Sequence, residues 1–435
     1  MKRAPRPLHS AALAALCAAA LLPATSLGGQ ALPRTRPDAV GMSAARLERW
    51  TRLAQEYIDA GRIAGTVSLV IRDGQIVHLE ALGDADREQG TAMRTDALFR
   101  IASMSKAITS VAAMMLVEEG RIALNDPVSH YIPAFAGTRV AVPDSTRFGG
   151  LLFSEQPARR EITIRDLLTH TSGISYGGGR LTQRYQDTGV YQWYFADKDE
   201  PIGATIERLA SLPFEAQPGQ AWVYGFSTDV LGRVVEVASG MPLDAFFRER
   251  IFMPLGMRDT YFYVPPDKAA RLAAVYSVNA DGEIHRAPDE GMGQGNYVTG
   301  PRTSFSGGAG LVSTAEDYGR FLLALLQGGR LGEARVLAPT TVSLMTANHV
   351  DTLYGQPGLG FGLGFEVLED AGAAAVYGSP GTYGWGSAYY SSYWVDPTEG
   401  LVGIFLAQLV PAGGLDLQRK FRTLVYQAIE TSRQP

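Results

Sequence analysis

A serine and a lysine three residues apart, Ser103 and Lys106, open the run SMSKAITSVAAMMLVEEG, in which almost every later side chain is apolar. Residues Ala107 to Val117 are apolar on nearly every face, the mark of a helix buried inside a domain, so a lysine in its first turn is buried as well. Burial disfavours the ammonium, and the positive end of the helix dipole disfavours it further; both favour the neutral amine. Positions i and i+3 share a helix face, which brings Ser103 Oγ and Lys106 Nζ within hydrogen-bonding reach. A hydroxyl beside a neutral amine is an activated nucleophile, and a helix start aims unpaired N–H groups at the oxyanion that its attack creates. The competing reading makes Ser103 a helix cap and lets Lys106 reach solvent over its apolar stem. Ser105 is a second hydroxyl, but as the immediate neighbour of Lys106 it points to another side.

Another nucleophile signal is Gly173-Ile174-Ser175-Tyr176-Gly177, which fits G-x-S-x-G. That elbow requires a strand before the serine and a buried helix after it. Here IRDLLTHTS reads as helical and YGGGRLTQRYQ offers no apolar helix, so Ser175 is disfavoured. His78, His130, His285 and His349 show no metal-ligand spacing, and no metal or other cofactor is expected. Glu118 and Glu119 read as solvated helix-end residues.

The elements that must position these groups follow from periodicity. Ala44 to Ala60 reads as a helix with Leu47, Trp50, Leu53, Ala54 and Ile58 on one side. GTVSLVIRDG and QIVHLEALGD read as a hairpin turning at Asp73-Gly74, and AAAVYG, SSYWVDP and LVGIFLAQ as later strands. LDLQRKFRTLVYQAIE reads as a closing helix. Between them strand patterns are sparse, and TIERLASL, STDVLGRVVEVASG and LDAFFRERIF read as helices. The expected architecture is an α/β domain built from both chain ends, 43–124 and 303–435, with a mostly helical domain, 125–302, inserted. The Gly-rich pieces YGGGR, QGG and SGGAG read as turns or loops near a site.

The chain of 435 residues is long enough for two or three domains of about 150 residues each. A formal net charge of -5 removes the basic excess that nucleic-acid binding needs. At the N-terminus, Lys2, Arg3 and Arg6 precede an apolar stretch from Ala11 to Leu22 and then small residues, the layout of a signal peptide over 1–26, followed by a Pro-rich linker, 27–42. The stretch is too short to span a membrane, and no later segment replaces it. A periplasmic or secreted protein is expected. Cys17, the single cysteine, would leave with the signal, and thiol chemistry with it.

Five segments in order, FRIASMSK (99–106), ITIRDLLTHTSGIS (162–175), Tyr224-Gly225-Phe226-Ser227, GGAGLVSTAEDYGRF (307–321) and PGTYGWGSAYYSSYWVDP (380–397), resemble the serine β-lactamase and penicillin-binding-protein superfamily, nearest to its class C-like family VIII carboxylesterases. The resemblance covers about Ala44 to Glu430. It implies an antiparallel sheet flanked by N- and C-terminal helices with the helical insertion beside it. It further implies Ser103 as the acylated nucleophile, Lys106 as its base, Tyr224 as the first residue of the family's Tyr-x-Asn motif, and the backbone N–H groups of Ser103 and Ala388 as the oxyanion hole.

Departures from the pattern speak to substrate. Trp385-Gly386-Ser387 stands where β-lactamases carry Lys-Thr-Gly, so the lysine that holds a substrate carboxylate there is gone. Phe226 replaces the Asn that binds an acylamino group. Both shift the expected pocket, lined by Trp385, Gly386, Ser387, Phe226 and Tyr389, toward neutral or apolar acyl groups; for Tyr389 strand packing is an equal alternative. The expected function is a Ser-Lys-Tyr serine hydrolase, a carboxylesterase on short-chain or aryl esters. The alternatives are a β-lactamase or D-amino-acid peptidase acting on an amide or lactam, and a non-catalytic binding relative. Oligomeric state is not legible.

Overall fold

Alternation along GTVSLVIR decides the layers of the molecule. In the computed structural model, which describes residues 31–144 and 152–433 together with Met1 and Ala4, Val67, Leu69 and Ile71 enter one core while Val70 enters another on the opposite face. The export segment expected at 1–26 lies outside the described residues but for those two positions.

Helix α1 (Ala44–Asp59) is capped by Ser43, whose side chain accepts the Arg46 N–H. It is followed by β1 (Gly65–Arg72), β2 (Gln75–Asp86) and β3 (Thr91–Ala92). Two buried helices come next, α2 (Ser105–Glu118) and α3 (Ser227–Ser239), then α4 (Ala315–Leu326). The chain returns through β4 (Leu359–Phe361), β5 (Glu366–Leu368), β6 (Tyr383–Gly386), β7 (Ser392–Asp396) and β8 (Leu401–Leu406) to α5 (Leu417–Tyr426). All eight strands form one antiparallel sheet in the order β4-β5-β6-β7-β8-β1-β2-β3, so strands from the two chain ends meet at β8 and β1.

Helices α1 and α5 cover one face, where Trp50 meets Phe421 and Phe405 at ring distances of 4.6 and 5.8 Å. On the other face α4 lies against β1 and β8, and α2 packs on α3. Residues 31–36 run along the sheet, with the Ile76 N–H donating to Pro33 O and the Thr35 N–H to Ile76 O. The region between α2 and α4 holds the expected helices, and also a three-stranded sheet of Arg139–Pro143, Phe153–Pro157 and Pro213–Phe214. One strand reading is corrected: AAAVYG is not extended. Ala371–Ala374 form a helical turn because Asp370 accepts the N–H groups of Gly372 and Ala373, a local cap that alanine's helical preference reinforces.

A buried polar chain ties α1 to the sheet. The Trp50 indole N–H donates to Ser68 Oγ (2.9 Å), and Ser68 Oγ lies 2.8 Å from His78 Nε2. Burial lowers the His78 imidazole to about 4, so it is neutral at pH 7. The unfolded chain binds this proton near pH 6.5 and the folded chain only near 4, so stability present above pH 6.5 is lost as pH falls through that window. Urea titrations between pH 7 and 4 are expected to show up to about 3 kcal/mol of this loss, and a His78→Gln variant a flatter profile. Equal slopes in the two proteins would refute the assignment.

Candidate active site

The nucleophile candidate stands at a forced turn. Phe99–Arg100 pair with Val312–Ser313, the Ile101 N–H donates to Leu311 O, and the chain then reverses through Ala102 at a φ of 36°. A non-glycine residue in that region is strained, and it persists only where packing holds it; Ala102 is fully buried. Ser103 follows, and α2 begins two residues on. Ser103 makes no capping bond to α2.

Lys106 is 3% exposed, and its Nζ has three partners: Ser103 Oγ at 3.2 Å, Tyr176 OH at 3.0 Å and Gly308 O at 2.8 Å. An ammonium would donate to all three. A neutral amine donates to Gly308 O and Tyr176 OH and turns its lone pair to the Ser103 hydroxyl, the arrangement that takes up a proton. Tyr224 meets Lys106 with its ring and not its hydroxyl. Lys106 Nζ lies over its ring, 4.7 Å from the centroid, and Tyr224 OH accepts the Trp385 indole N–H at 3.1 Å.

Tyr176 is the residue that motif reading passed over. It lies inside the rejected G-x-S-x-G, and the structure shows what that motif does. Gly173 and Gly177 have φ of 83° and 81°, and a Cβ on Gly177 would stand 2.4 Å from the Tyr185 ring. The two turns place the Tyr176 phenol on Lys106, while Ser175 Oγ accepts the Gly177 N–H within its own loop. Burial, then Tyr224 and Asp229, push the Tyr176 phenol well above its ordinary range, so it is a neutral hydrogen-bonding group.

The loop Ser306-Gly307-Gly308 is gripped from two sides. From α2, Thr109 Oγ1 donates to Gly307 O and Lys106 to Gly308 O, while Ser105 Oγ accepts the Leu311 N–H. From α3, buried Asp229 accepts the Ser306 hydroxyl at 2.5 Å and the Gly308 N–H at 3.1 Å. Burial raises the Asp229 carboxyl, and Lys106 pulls it back. His170 packs on Tyr224 at 4.9 Å, and burial followed by Lys106 holds its imidazole well below the usual range, so it is a neutral packing group.

A cavity of about 640 Å³ opens onto Ser103 and is lined by Tyr176, Tyr224, Trp385, Gly386, Ser387 and Ala388, with Trp193 and Tyr354 as further aromatic walls. Phe226 and Tyr389 do not line it. Phe226 is fully buried beneath Tyr176, with ring centroids 4.8 Å apart, and Tyr389 is fully buried against Trp193 at 5.5 Å. Both pocket readings are thereby corrected, because each ring is turned into the packed core behind the wall. Among the described residues no cluster of three His, Cys, Asp or Glu could hold a metal, and no helix is long and apolar enough to cross a membrane.

Gly308 tests the clamp on Lys106, since a Cβ there would stand 2.4 Å from Asp229 Oδ2 and displace the carbonyl that holds Nζ. Gly308→Ala is expected to slow fluorophosphonate labelling of Ser103 by about 100-fold, with the folded circular-dichroism spectrum retained. Labelling at the wild-type rate would show that this carbonyl does not orient the amine.

Comparison with known proteins agrees with the geometry. Residues 50–427 match the sequence profile of the Beta-lactamase family. Protein Rv1367c of Mycobacterium tuberculosis is 37% identical over 377 residues, covering 83% of this chain and 90% of that protein. Esterase EstB of Burkholderia gladioli is 34% identical over 394 residues, covering 87% and 94%. The solved structure of EstCE1, described as a hydrolase with promiscuous acyltransferase activity, superposes with a TM-score of 0.75 at 31% identity, covering 88% of this chain and 99% of that one.

Proposed function

The chain belongs to the β-lactamase family and is a serine hydrolase; we propose that it is a carboxylesterase that cleaves short-chain or aryl esters through an acyl-enzyme on Ser103. The observation that carries the proposal is the 3.2 Å contact between Lys106 Nζ and Ser103 Oγ at the mouth of an aromatic cavity.

Ser103 Oγ attacks the ester carbonyl as its proton passes to Lys106. The oxyanion of the tetrahedral intermediate is held by the N–H groups of Ser103 and Ala388, both at the cavity wall. The C–O bond to the alcohol then breaks, and the leaving oxygen takes a proton from the Tyr224 hydroxyl. Tyr224 can donate because its oxygen already accepts the Trp385 indole N–H, and the proton it gives up is replaced from Lys106 through the Tyr176 hydroxyl, which hydrogen-bonds to both. Water attacks the acyl-enzyme by the same route in reverse and regenerates Ser103. Tyr176 donates nothing to substrate in this scheme; it fixes the direction of the Lys106 amine.

An ester substrate is favoured over a lactam because Trp385 puts an aromatic face where a carboxylate-binding lysine would stand. p-Nitrophenyl butyrate and a chromogenic cephalosporin separate the two, and faster cephalosporin turnover would overturn the esterase reading. Ser103→Ala is expected to lose ester hydrolysis by about a thousandfold or more, and Ser175→Ala to keep it. Tyr176→Phe, which removes one bond to the amine, is expected to lower kcat by roughly 10- to 100-fold with KM little changed. Export by the segment 1–26 belongs to the same proposal and rests on the sequence of that segment. N-terminal sequencing of the mature protein is expected to find Met1 and Cys17 removed, and their retention would refute export.

A further inference from the structure

A second cavity, of about 1100 Å³, shares no lining residue with the catalytic one. It is at the upper end of the roughly 300 to 1,000 Å³ in which small molecules usually bind. One wall is the helical segment 243–255, whose π-helical turn at Arg248–Phe252 puts both of those residues on the cavity. Such turns recur at sites where helices carry function. Phe252, Met257, Phe262 and Phe305 make the interior apolar, with the rings of Phe262 and Phe305 5.3 Å apart.

Charge at this cavity is one-sided. Three carboxylates line it, and an arginine holds each: Arg248 pairs with Asp244 and Glu249 at 3.8 and 3.2 Å, and Arg330 with Glu333 at 3.3 Å. Two further arginines line it with no carboxylate. The exposed Arg258 side chain makes no hydrogen bond or ion pair with any described residue. Arg302, also exposed, donates through Nη2 to the carbonyls of Val264 and Val298, and its guanidinium lies 6.0 Å from the Tyr263 ring centre. An apolar volume edged by two uncompensated guanidinium groups is complementary to an anion that carries an alkyl chain.

The inner wall of the cavity runs directly into the clamp on Lys106. Phe305 precedes Ser306, whose hydroxyl donates to Asp229; Asp229 also accepts the Gly308 N–H, and Gly308 O holds Nζ. Phe262 packs on the other end of the same loop, since a Cβ on Gly310 would stand 2.9 Å from its ring, and the Gly310 N–H donates to Ser306 O. The next residue, Tyr263, donates its hydroxyl to Ser304 O at 3.1 Å. Helices α2 and α3 therefore hold this loop through polar bonds, while two cavity-lining rings hold it through packing. A molecule seated against those rings would restrain the loop that orients the amine, through a contiguous chain of packed groups.

We propose that this cavity is a regulatory site for an alkyl-chain carboxylate, which speeds acylation of Ser103 by bracing Phe262 and Phe305 and, through them, the Gly308 carbonyl. The chain lies among Phe252, Met257 and the two braced rings, and Arg258 and Arg302 take the carboxylate at the open edge. The site is separate from the substrate cavity, so its occupant acts on the rate of the step at Ser103 and not on substrate affinity.

The test uses decanoate below its micelle concentration, with decyltrimethylammonium and decanol as cationic and neutral chains of the same length. Binding is followed by calorimetry, and the state of the site by the rate at which a short-chain fluorophosphonate labels Ser103. Decanoate is expected to bind and to raise both the labelling rate and kcat on p-nitrophenyl butyrate by about threefold, with KM unchanged. Arg258→Glu should weaken decanoate binding by about tenfold, and Ala334→Trp, which puts an indole into the cavity, should remove binding and response together. The proposal is overturned if decanoate does not bind, if the cationic or neutral chain binds as tightly, or if either variant binds decanoate as the wild type does. Binding that leaves the labelling rate unchanged overturns it as well, and so does a raised KM, which would place decanoate in the catalytic cavity. Should no ester be turned over, the esterase reading fails by itself, and calorimetry with the labelling rate still decides the regulatory site.

Discussion

The placement of one amine governs the site. Lys106 Nζ is held at three points, by Gly308 O, Tyr176 OH and Ser103 Oγ, and these points come from three separate parts of the chain. A buried lysine stem with a free head would sample several rotamers, and a hydroxyl 3 Å away would meet the lone pair only part of the time. Two fixed acceptors leave the third direction of the nitrogen to the serine. Gly308 is itself held by its N–H on Asp229, so the buried carboxyl reaches the nucleophile through one residue and one amine. Asp229 also interacts electrostatically with Lys106 in this buried region.

The fold supplies these points by placing α2 at the junction of its parts. One face of α2 grips the 306–311 loop through Ser105, Lys106 and Thr109, and another packs on α3, which carries Asp229 and follows directly from Tyr224. Tyr176 comes from a loop whose glycines do backbone work. Ala102, strained and buried, is where the chain turns from the short strand at 99–100 into the nucleophile. Strain at that residue is offset by the packing of the whole junction, which is why it can persist.

Much of this was legible because it is local. Ser103 and Lys106 share a helix face three residues apart, and the all-apolar helix behind them announces burial. The β1–β2 hairpin, β7, β8 and the bounding helices α1 and α5 follow from short periodic patterns that tertiary contacts did not overrule. Contacts made across the chain were not legible. Tyr176 is 70 residues from Lys106 and sat inside a motif judged only as a rival nucleophile. Phe226 was aligned with a substrate-binding asparagine, yet its ring turns under Tyr176, a direction no spacing rule gives. The alanines before Tyr377 looked strand-compatible until Asp370 capped them. In each case the deciding partner is a side chain whose orientation depends on a turn rather than on a period.

Trp385 joins catalysis to specificity through one side chain. Its indole N–H donates to Tyr224 OH, and its ring lies 5.4 Å from the Tyr224 ring and 5.5 Å from that of Phe361. A lysine at this position could bind an anionic substrate, but it would remove the aromatic wall and the neutral donor that orients the phenol. The change that removes an anion clamp from β6 therefore preserves a neutral, rigid setting for the Tyr224 proton.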